Sequence, residues 1–381
     1  MTGLFRSFFQ GGFECSTHRR ADGARLDLIE SSGHDGLALD DFVQLASRGI
    51  LTVRDGVRWH VIEQTPGEYD WSSFVRLLRA ARLAGVQVIW DLCHYGYPDH
   101  LDIWSDAFVN AFARFARQAA SVVLEESGAA LFCPINEISY WAWAGAETGR
   151  INPATHGRGA ELKRQLVRAS IAAIRAIREV APSSRFIVAE PLINVVSGAP
   201  APEHLAAAEH YRQCQFEVHD MLTGRRDPEL GGRTEFLDIV GVNFYPDNQW
   251  YLGGSTIPLG HHAYRPLHEM LEEVHKLYRR PLFISETGAE GRAKHYWLHH
   301  VCEEVRVAIA RGVPVRGICL YPIVDYHGWD NHRVCEVGLL SLPDRGGARR
   351  PCELLDRELR KQQRTLERTR FRAPLVEEQR A

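Results

Sequence analysis

Short apolar runs recur along the chain, and each is followed by polar or aromatic residues and then by a segment with helical periodicity. Buried parallel strands have this pattern, because both of their faces are covered and few polar positions remain. The runs span residues 8–15, 49–59, 86–95, 130–137, 185–193, 237–245, 281–288 and 315–325. They predict eight strands that alternate with helices.

The segments between the runs are amphipathic. In residues 105–124, apolar side chains recur at alternating steps of four and three, the spacing of one helix face: Phe108, Phe112, Phe115, Ala119 and Val122. Gly85 is the predicted C-cap of another helix over residues 72–84. Strands that alternate with helices favour a parallel α/β sheet, and eight of them suit a closed (β/α)8 TIM barrel.

The pattern predicts a single domain. We expect the catalytic barrel to occupy residues 1–345, because no linker divides that part of the chain. Residues 346–381 are expected to form a helix, over 352–370, and a frayed tail. Two long connections, 199–210 and 246–264, are expected to shape a pocket.

Composition narrows the class of partner. The hydrophobic fraction of 45% and charged fraction of 24% are those of ordinary globular proteins, and the formal net charge is −3. This balance argues against nucleic acid or a membrane surface as the partner and favours a small molecule. The eight cysteines lack the spacing of a zinc site or a disulfide framework. We therefore expect no metal and no cofactor, and the oligomeric state stays open.

The N-terminus has the sequence MTGLFRSFFQGGF, in which Arg6 and Gln10 interrupt any apolar region. It does not resemble a signal peptide, and no apolar run approaches the length of a membrane helix. The predicted location is cytoplasmic.

In TIM barrels the chemistry lies at the C-terminal ends of the strands. Those ends carry Glu14, Arg54, His94, Asn136, Glu137, Glu190, Tyr245, Glu286 and the segment 321–325. The set is rich in carboxylates and aromatic rings and lacks the His-x-His pattern of metal-dependent barrels. Glu137 and Glu286 follow the fourth and seventh runs, whose ends can face each other across the pocket. Two carboxylates about 5–5.5 Å apart suit retaining glycoside hydrolysis.

The motifs around these residues resemble the clan of barrel glycosidases with catalytic glutamates on strands four and seven. The closest pattern is glycoside hydrolase family 1, the β-glucosidase family, and the resemblance covers roughly residues 8–340. Asn136 and Glu137 are similar to the Asn-Glu acid/base motif, and Glu286 in SETG is similar to the Glu-Asn-Gly nucleophile motif. The resemblance implies that Glu286 is the nucleophile and Glu137 the acid/base.

Further motifs imply supporting roles. Arg54, in TVRDGVRW, is expected to contact the nucleophile, and Tyr245, in DIVGVNFY, to hydrogen-bond it. HYGYP resembles the family's His-Trp-Asp-x-Pro motif, which places His94 against a sugar hydroxyl. Asn136 is expected to donate to the sugar 2-hydroxyl. YPIVDYHGW followed by EVGLL resembles the family's Trp-Ser-x-x-Asp-Asn-Phe-Glu-Trp motif followed by Phe-Gly-Leu. The rings that offer flat faces for stacking on a sugar are Tyr321, Trp329, Trp141 and Trp143.

The departures concern sugar recognition. Gly328 replaces a glutamate that grips outer sugar hydroxyls in the family, and Tyr326 replaces an asparagine. The glutamine of strand one has no clean equivalent, and Glu14 or His18 is the candidate for its place. The specificity of the family for glucose is therefore not carried over to this chain.

The two glutamates need different environments. The acid/base has to be protonated near neutral pH, and a desolvated pocket beside a second carboxylate raises its pKa. Arg54 and Tyr245 favour the charged form of the nucleophile. We therefore predict a retaining hydrolase of a small β-glycoside. A transglycosidase that uses the same glutamates, or a catalytically silent carbohydrate-binding barrel, remains an alternative.

Overall fold

The computed structural model describes residues 3–128, 131–331 and 333–370. Eight parallel strands close into a barrel, and each strand pairs with its neighbours in chain order, so that the last pairs with the first. The strands are β1 (Phe9–Gly12), β2 (Thr52–Gly56), β3 (Gln87–Asp91), β4 (Leu131–Cys133), β5 (Arg185–Pro191), β6 (Ile239–Asn243), β7 (Leu282–Thr287) and β8 (Val315–Leu320). Each predicted run contains one strand, which confirms the predicted TIM barrel.

Helices surround the strands. They are α1 (Leu28–Ser31), α2 (His34–Ala46), α3 (Trp59–Ile62), α4 (Ser72–Ala84), α5 (Asp106–Ser127), α6 (Ile138–Trp141), α7 (Gly159–Val180), α8 (Pro202–Gln213), α9 (Glu217–Thr223), α10 (Leu267–Tyr278), α11 (Lys294–Ala310) and α12 (Glu353–Arg370). Gly85 ends α4 with a left-handed φ of 72°, as predicted for a C-cap glycine.

Short elements lie in the loops that connect the strands and helices. A π-helical turn, Ala142–Glu147, continues α6. Strand Asn194–Val196 pairs with Gln249–Tyr251, and Tyr326–His327 pairs with Val334–Cys335. Single turns of 3₁₀ helix lie at Cys214–Phe216, Pro228–Leu230, Thr234–Phe236 and Gly291–Ala293. The two small sheets stiffen the connections that follow β5, β6 and β8.

The core has two layers. Apolar side chains from five strands fill the barrel interior: Ile89, Leu131, Cys133, Ile187, Ala189, Ile239 and Phe283. The ring of Phe5 lies 4.8 Å from that of Phe283 and packs on this cluster from the N-terminal segment. A larger cluster lies between strands and helices, where Trp59 stacks on Phe115 at 5.0 Å.

The C-terminal helix packs on the barrel. Leu355 and Leu359 of α12 are buried in the larger cluster, and Nε of Arg48 lies 3.1 Å from the Asp356 carboxylate. The boundary at residue 345 stays a prediction, and the predicted frayed tail lies outside the described residues. None of the helices in the described ranges is both long and apolar enough to cross a membrane. The cytoplasmic location also stays a prediction.

A buried charged network joins the segment after the barrel to β2. Arg349 contacts Asp41 at 2.5 Å, Nδ1 of His34 lies 2.8 Å from Asp41, and Nε2 lies 3.1 Å from Asp55. The His34 ring stacks on Phe13 at 3.6 Å. Burial alone lowers the pKa of His34, but the Asp55 and Asp41 carboxylates outweigh it and raise the pKa to about 9.

This network predicts a loss of stability at alkaline pH. Because the folded pKa of His34 exceeds its unfolded value, its contribution is complete below about pH 6.5 and disappears as the pH rises to about 9. We expect His34→Gln to lower the free energy of unfolding by roughly 3 kcal/mol at pH 6 and by much less at pH 9.5. Urea denaturation at both pH values measures this, with the exposed His204→Gln as control. An equal loss at both pH values would contradict it.

Candidate active site

The structure brings Glu137 and Glu286 to the same face of the barrel through Asn243. Asn243 is the last residue of β6 and pairs in register with Glu286 on β7. Its Nδ2 donates to Oε1 of Glu137 at 2.9 Å, and its Oδ1 accepts from the Ser285 hydroxyl at 2.6 Å. Glu137 has a left-handed φ of 41°, and its N–H donates to the carbonyl of Ala189 on β5 at 2.9 Å.

Positively charged and neutral donors surround Glu286. Nη1 of Arg54 donates to Oε1 at 3.0 Å, and the Tyr245 hydroxyl donates to Oε2 at 2.8 Å. Both contacts are those expected from the sequence. Arg54 is itself fully buried, and its Nη2 donates to Asp91 at 2.6 Å and to Asn136 at 3.0 Å. The guanidinium is therefore held from three strand ends before any ligand binds.

Burial dominates the electrostatics of the pair. It raises the pKa of Glu286 to about 7, although Arg54 and the Tyr245 hydroxyl act in the opposite direction. The expectation that these two groups would keep Glu286 readily ionised therefore understated burial. Burial also raises the pKa of Glu137, as predicted, against hydrogen bonds from Asn243 and Tyr95. Within the described part of the chain, Arg54 bonds to Glu286 and not to Glu137, so direct contact with the cation favours the charged form of Glu286.

His94 belongs to one wall of the site. Its Nδ1 lies 3.2 Å from Asp91 and 3.2 Å from the thiol of Cys15, and its ring is parallel to that of Tyr321 at 6.2 Å. Tyr321 is only 3% exposed and lies under the Arg54 guanidinium, 5.5 Å from it. The predicted residues His94 and Tyr321 thus both lie beside the ion pair of Arg54 and Asp91.

Cys15, Asp91 and His94 are also the group that could hold a metal ion among the described residues, with ligand atoms within 4.8 Å of one another. The Arg54 guanidinium is 2.6 Å from the same Asp91 carboxylate and opposes a second cation. Burial has the largest effect on the Cys15 thiol, and together with the Asp91 carboxylate it raises the pKa of that thiol, so the metal-binding thiolate is disfavoured. The donor set fits a hydrogen-bonded wall better than a metal centre.

Two further residues proposed for sugar recognition, Glu14 and His18, lie in the segment that follows β1. Oε1 of Glu14 accepts from the N–H and the hydroxyl of Ser16, at 3.0 and 2.6 Å. His18 is fully buried, and its ring meets Trp329 edge-on at 4.7 Å. In the described ranges neither nitrogen of His18 nor the indole nitrogen of Trp329 has a hydrogen-bond partner. Burial lowers the pKa of His18 to about 3, so this imidazole is neutral.

The two tryptophans of α6 and its π-helical continuation, both candidates for sugar stacking, make contacts within the protein. Trp141 is fully buried and donates from Nε1 to the carbonyl of Asn152 at 2.8 Å, so it supports a loop and offers no face to a sugar. Trp143 lies beneath the guanidinium of Arg150 at 4.8 Å. Glu190, one of the carboxylates at the predicted strand ends, is buried beneath α6, where it accepts from the N–H of Ser139 at 3.1 Å.

Sequence reasoning missed three residues that contact the site directly: Asp91, Tyr95 and Asn243. Asp91 ends β3, and the rule that selected Glu137 and Glu286 also selects it. Tyr95 and Asn243 stand inside motifs that the sequence analysis used for their neighbours, His94 and Tyr245. The contacts that Tyr95 and Asn243 make with Glu137 join residues far apart in the sequence, so no local pattern indicated them.

Solved structures share this architecture. The chain aligns with an enzyme from Alicyclobacillus herbarius with a TM-score of 0.77 at 17% identity, over 96% of this chain and 99% of that one. It aligns with the Thermotoga maritima β-glucosidase in complex with glucoimidazole with a TM-score of 0.77 at 15% identity, over 95% and 98%. A further structure of the family 1 β-glucosidase from that organism gives 0.76 at 16%, over 94% and 97%. The chain has the fold of these β-glucosidases. No protein-family model and no curated protein matches the sequence.

The position of Arg54 predicts a large cost for its removal. Arg54→Met would leave the buried carboxylates of Asp91 and Glu286 without a cation, and breaking a buried pair in this way costs about 3–5 kcal/mol. We expect a loss of that size in the free energy of unfolding at pH 8, measured by urea denaturation. The control is Arg79→Met, which removes the surface pair with Glu126 and should cost less than about 1 kcal/mol. Similar losses for both variants would show that Arg54 is not the hub of the site.

Proposed function

We propose that the protein is a retaining hydrolase of a small β-glycoside, with Glu286 as nucleophile and Glu137 as acid/base. The observation that carries the proposal is the unequal treatment of the two buried carboxylates. Glu286 contacts the Arg54 guanidinium and the Tyr245 hydroxyl, which stabilise its negative charge. Within the described residues, Glu137 receives hydrogen bonds only from the neutral groups Tyr95 and Asn243, and in this proposal it carries the proton that the pair shares. The solved β-glucosidases with the same fold support the glycosidase class.

The reaction proceeds in two steps. A Glu286 oxygen attacks the anomeric carbon while the proton of Glu137 passes to the leaving oxygen, and a glycosyl ester of Glu286 forms. Glu137 then takes a proton from water, whose oxygen attacks the anomeric carbon and releases the Glu286 carboxylate. Two inversions give net retention. We expect the nearest carboxylate oxygens to be about 5–5.5 Å apart.

The surrounding residues are assigned to substrate binding within this proposal. Asn136 donates to the 2-hydroxyl once its amide nitrogen exchanges its contact with Nε2 of His94, 3.1 Å away, for the sugar, and this contact strengthens as the oxocarbenium-like transition state forms. His94 contacts a further hydroxyl, and Tyr321 and Trp329 cover the apolar face of the sugar ring. The unpartnered nitrogens of His18 and Trp329 are groups whose burial cost a bound hydroxyl would offset.

Substitution of each glutamate separates the two roles. Glu286→Ala should abolish turnover for every leaving group, because the covalent step is lost. Glu137→Ala should retain the first step for nitrophenyl leaving groups, which need little protonation, and azide should restore turnover with a β-glycosyl azide as product. Product analysis by NMR across a panel of nitrophenyl glycosides checks both outcomes.

Two results would count against these assignments. Azide rescue of the Glu286 variant to a product of retained configuration would mean that the roles are exchanged. No activity of the wild type on any glycoside of the panel, combined with measurable sugar binding, would favour the catalytically silent barrel.

The missing side chain at Gly328 predicts weak activity on glucosides. Hydrogen bonds from charged groups contribute about 1.5–3 kcal/mol each, so the loss of two weakens transition-state binding by roughly two to four orders of magnitude. We expect a preference for a glycone that lacks or rearranges those hydroxyls, or that extends into the space beside Gly328. A kcat/KM near roughly 10⁵ M⁻¹s⁻¹ on a plain β-glucoside would refute this.

A gain-of-function variant sharpens the same test. A Cβ at Gly328 would meet its nearest neighbours, the Asn331 and Cys335 side chains, at 3.4 Å, which is ordinary contact. Gly328→Glu should therefore fold and raise kcat/KM for glucosides relative to other glycones. Gly328→Ala, which adds a Cβ without a hydrogen-bonding group, is the control.

A further inference from the structure

Tyr95 occupies a place that the sequence analysis left without a role. It follows His94 beyond the end of β3, where the family motif has tryptophan, and only 1% of its surface is exposed. Its hydroxyl donates to Oε2 of Glu137 at 2.8 Å and lies 3.1 Å from Nδ2 of Asn136. Its backbone has a φ of 67°, in the left-handed region that few residues other than glycine adopt. A strained backbone at a buried site contact indicates a constrained placement of this hydroxyl.

Arg54 fixes the direction of each hydrogen bond along this path. A guanidinium can only donate, so the Asn136 oxygen, 3.0 Å from Nη2, has to be the acceptor. The amide nitrogen of Asn136 therefore donates to the Tyr95 oxygen at 3.1 Å, and its second hydrogen faces Nε2 of His94, also at 3.1 Å. The single proton of the Tyr95 hydroxyl is then left for Glu137. Each of the three hydrogen bonds from Arg54 to Glu137 therefore has only one possible direction.

We propose that Tyr95 is a positioning residue. Its hydroxyl holds the Glu137 carboxyl group and connects it through Asn136 to Arg54, so that one cation orients both glutamates. The functional part of this inference rests on the proposed role of Glu137. Arg54 acts on Glu286 directly and on Glu137 through two neutral groups. The hydroxyl of Tyr95 stabilises the carboxylate form of Glu137 enough for Glu137 to serve as the base in the second step.

The other charged and titratable groups around Glu137 come from five elements. They are His94 after β3, Tyr140 on α6, Glu190 on β5, Tyr245 after β6 and Glu286 on β7. Glu190 and Glu286 disfavour the charged form of Glu137, whereas a protonated His94 favours it. Replacement of Tyr95 by phenylalanine leaves all of these groups in place, so a change in the titration of Glu137 reports the lost hydroxyl.

The test compares Tyr95→Phe with Tyr140→Phe. The Tyr140 ring lies 5.6 Å from that of Tyr95, and within the described ranges its hydroxyl makes no hydrogen bond to Glu137. The titration of Glu137 is followed by NMR of protein labelled with ¹³C at glutamate side-chain carboxyls, and the signal is assigned by its loss in Glu137→Gln. We expect the midpoint to rise by about one pH unit in Tyr95→Phe, since a donor to the carboxylate is lost, and to stay unchanged in Tyr140→Phe.

An unchanged or lower midpoint in Tyr95→Phe, or an equal rise in both variants, would overturn the proposal. Should Tyr95→Phe fail to fold, Asn136→Ala interrupts the same path one step earlier and should raise the midpoint by a smaller amount. No rise in that variant would count equally against the connection to Arg54.

The pH profile of activity provides the second readout. The alkaline limb of kcat/KM requires protonated Glu137, so it should move upward with the NMR midpoint, whereas the acid limb, set by Glu286, should stay in place. A merely structural tyrosine would lower kcat without moving either limb. If the wild type cleaves no glycoside while the NMR midpoint shifts, the proposed function fails and the positioning role stands. If the wild type is active and the midpoint is fixed, the reverse holds.

Discussion

The site depends on one buried guanidinium. Arg54 is fully enclosed and bonds to Asp91, Asn136, Ser285 and Glu286, which come from β3, the end of β4 and β7. Removing an arginine from water costs several kcal/mol unless its donors are matched, and here the partners come from three different strands or the loops that follow them. Closure of the barrel with the correct register is what assembles those partners. The fold and the candidate chemistry therefore share a single constraint.

The same cation gives the two glutamates different properties. Both lie in surroundings that favour the neutral acid, and both have raised pKa values. Arg54 contacts Glu286 directly, whereas it is connected to Glu137 only through Asn136 and Tyr95. Two chemically identical side chains are thus given different surroundings by the length of the path to one arginine, and the proposed roles rest on that difference.

The residues assigned to sugar binding in the proposal are less completely hydrogen-bonded than those around the two glutamates. Within the part of the chain that the structure describes, His18 and Trp329 have buried nitrogens without hydrogen-bond partners, and Glu14 uses one oxygen on its own turn. Polar groups left unpaired in a buried place are costly, and under the proposed function the hydroxyls of a sugar would offset that cost. The two glutamates and these unpaired groups lie on different loops, so one set can change while the other stays in place.

The sequence alone determined the barrel and the two glutamates. A buried parallel strand is a local apolar run, and a carboxylate directly after such a run is visible without knowledge of any distant contact. Arg54 and Tyr245 were found in the same way, from motifs at strand ends. The roles of Asp91, Tyr95 and Asn243 were decided by tertiary structure, because each depends on an atom contributed by another strand. The pKa of Glu286 and the burial of Trp141 were decided there too. Desolvation is a property of everything packed around a group, and no stretch of neighbouring residues contains that information.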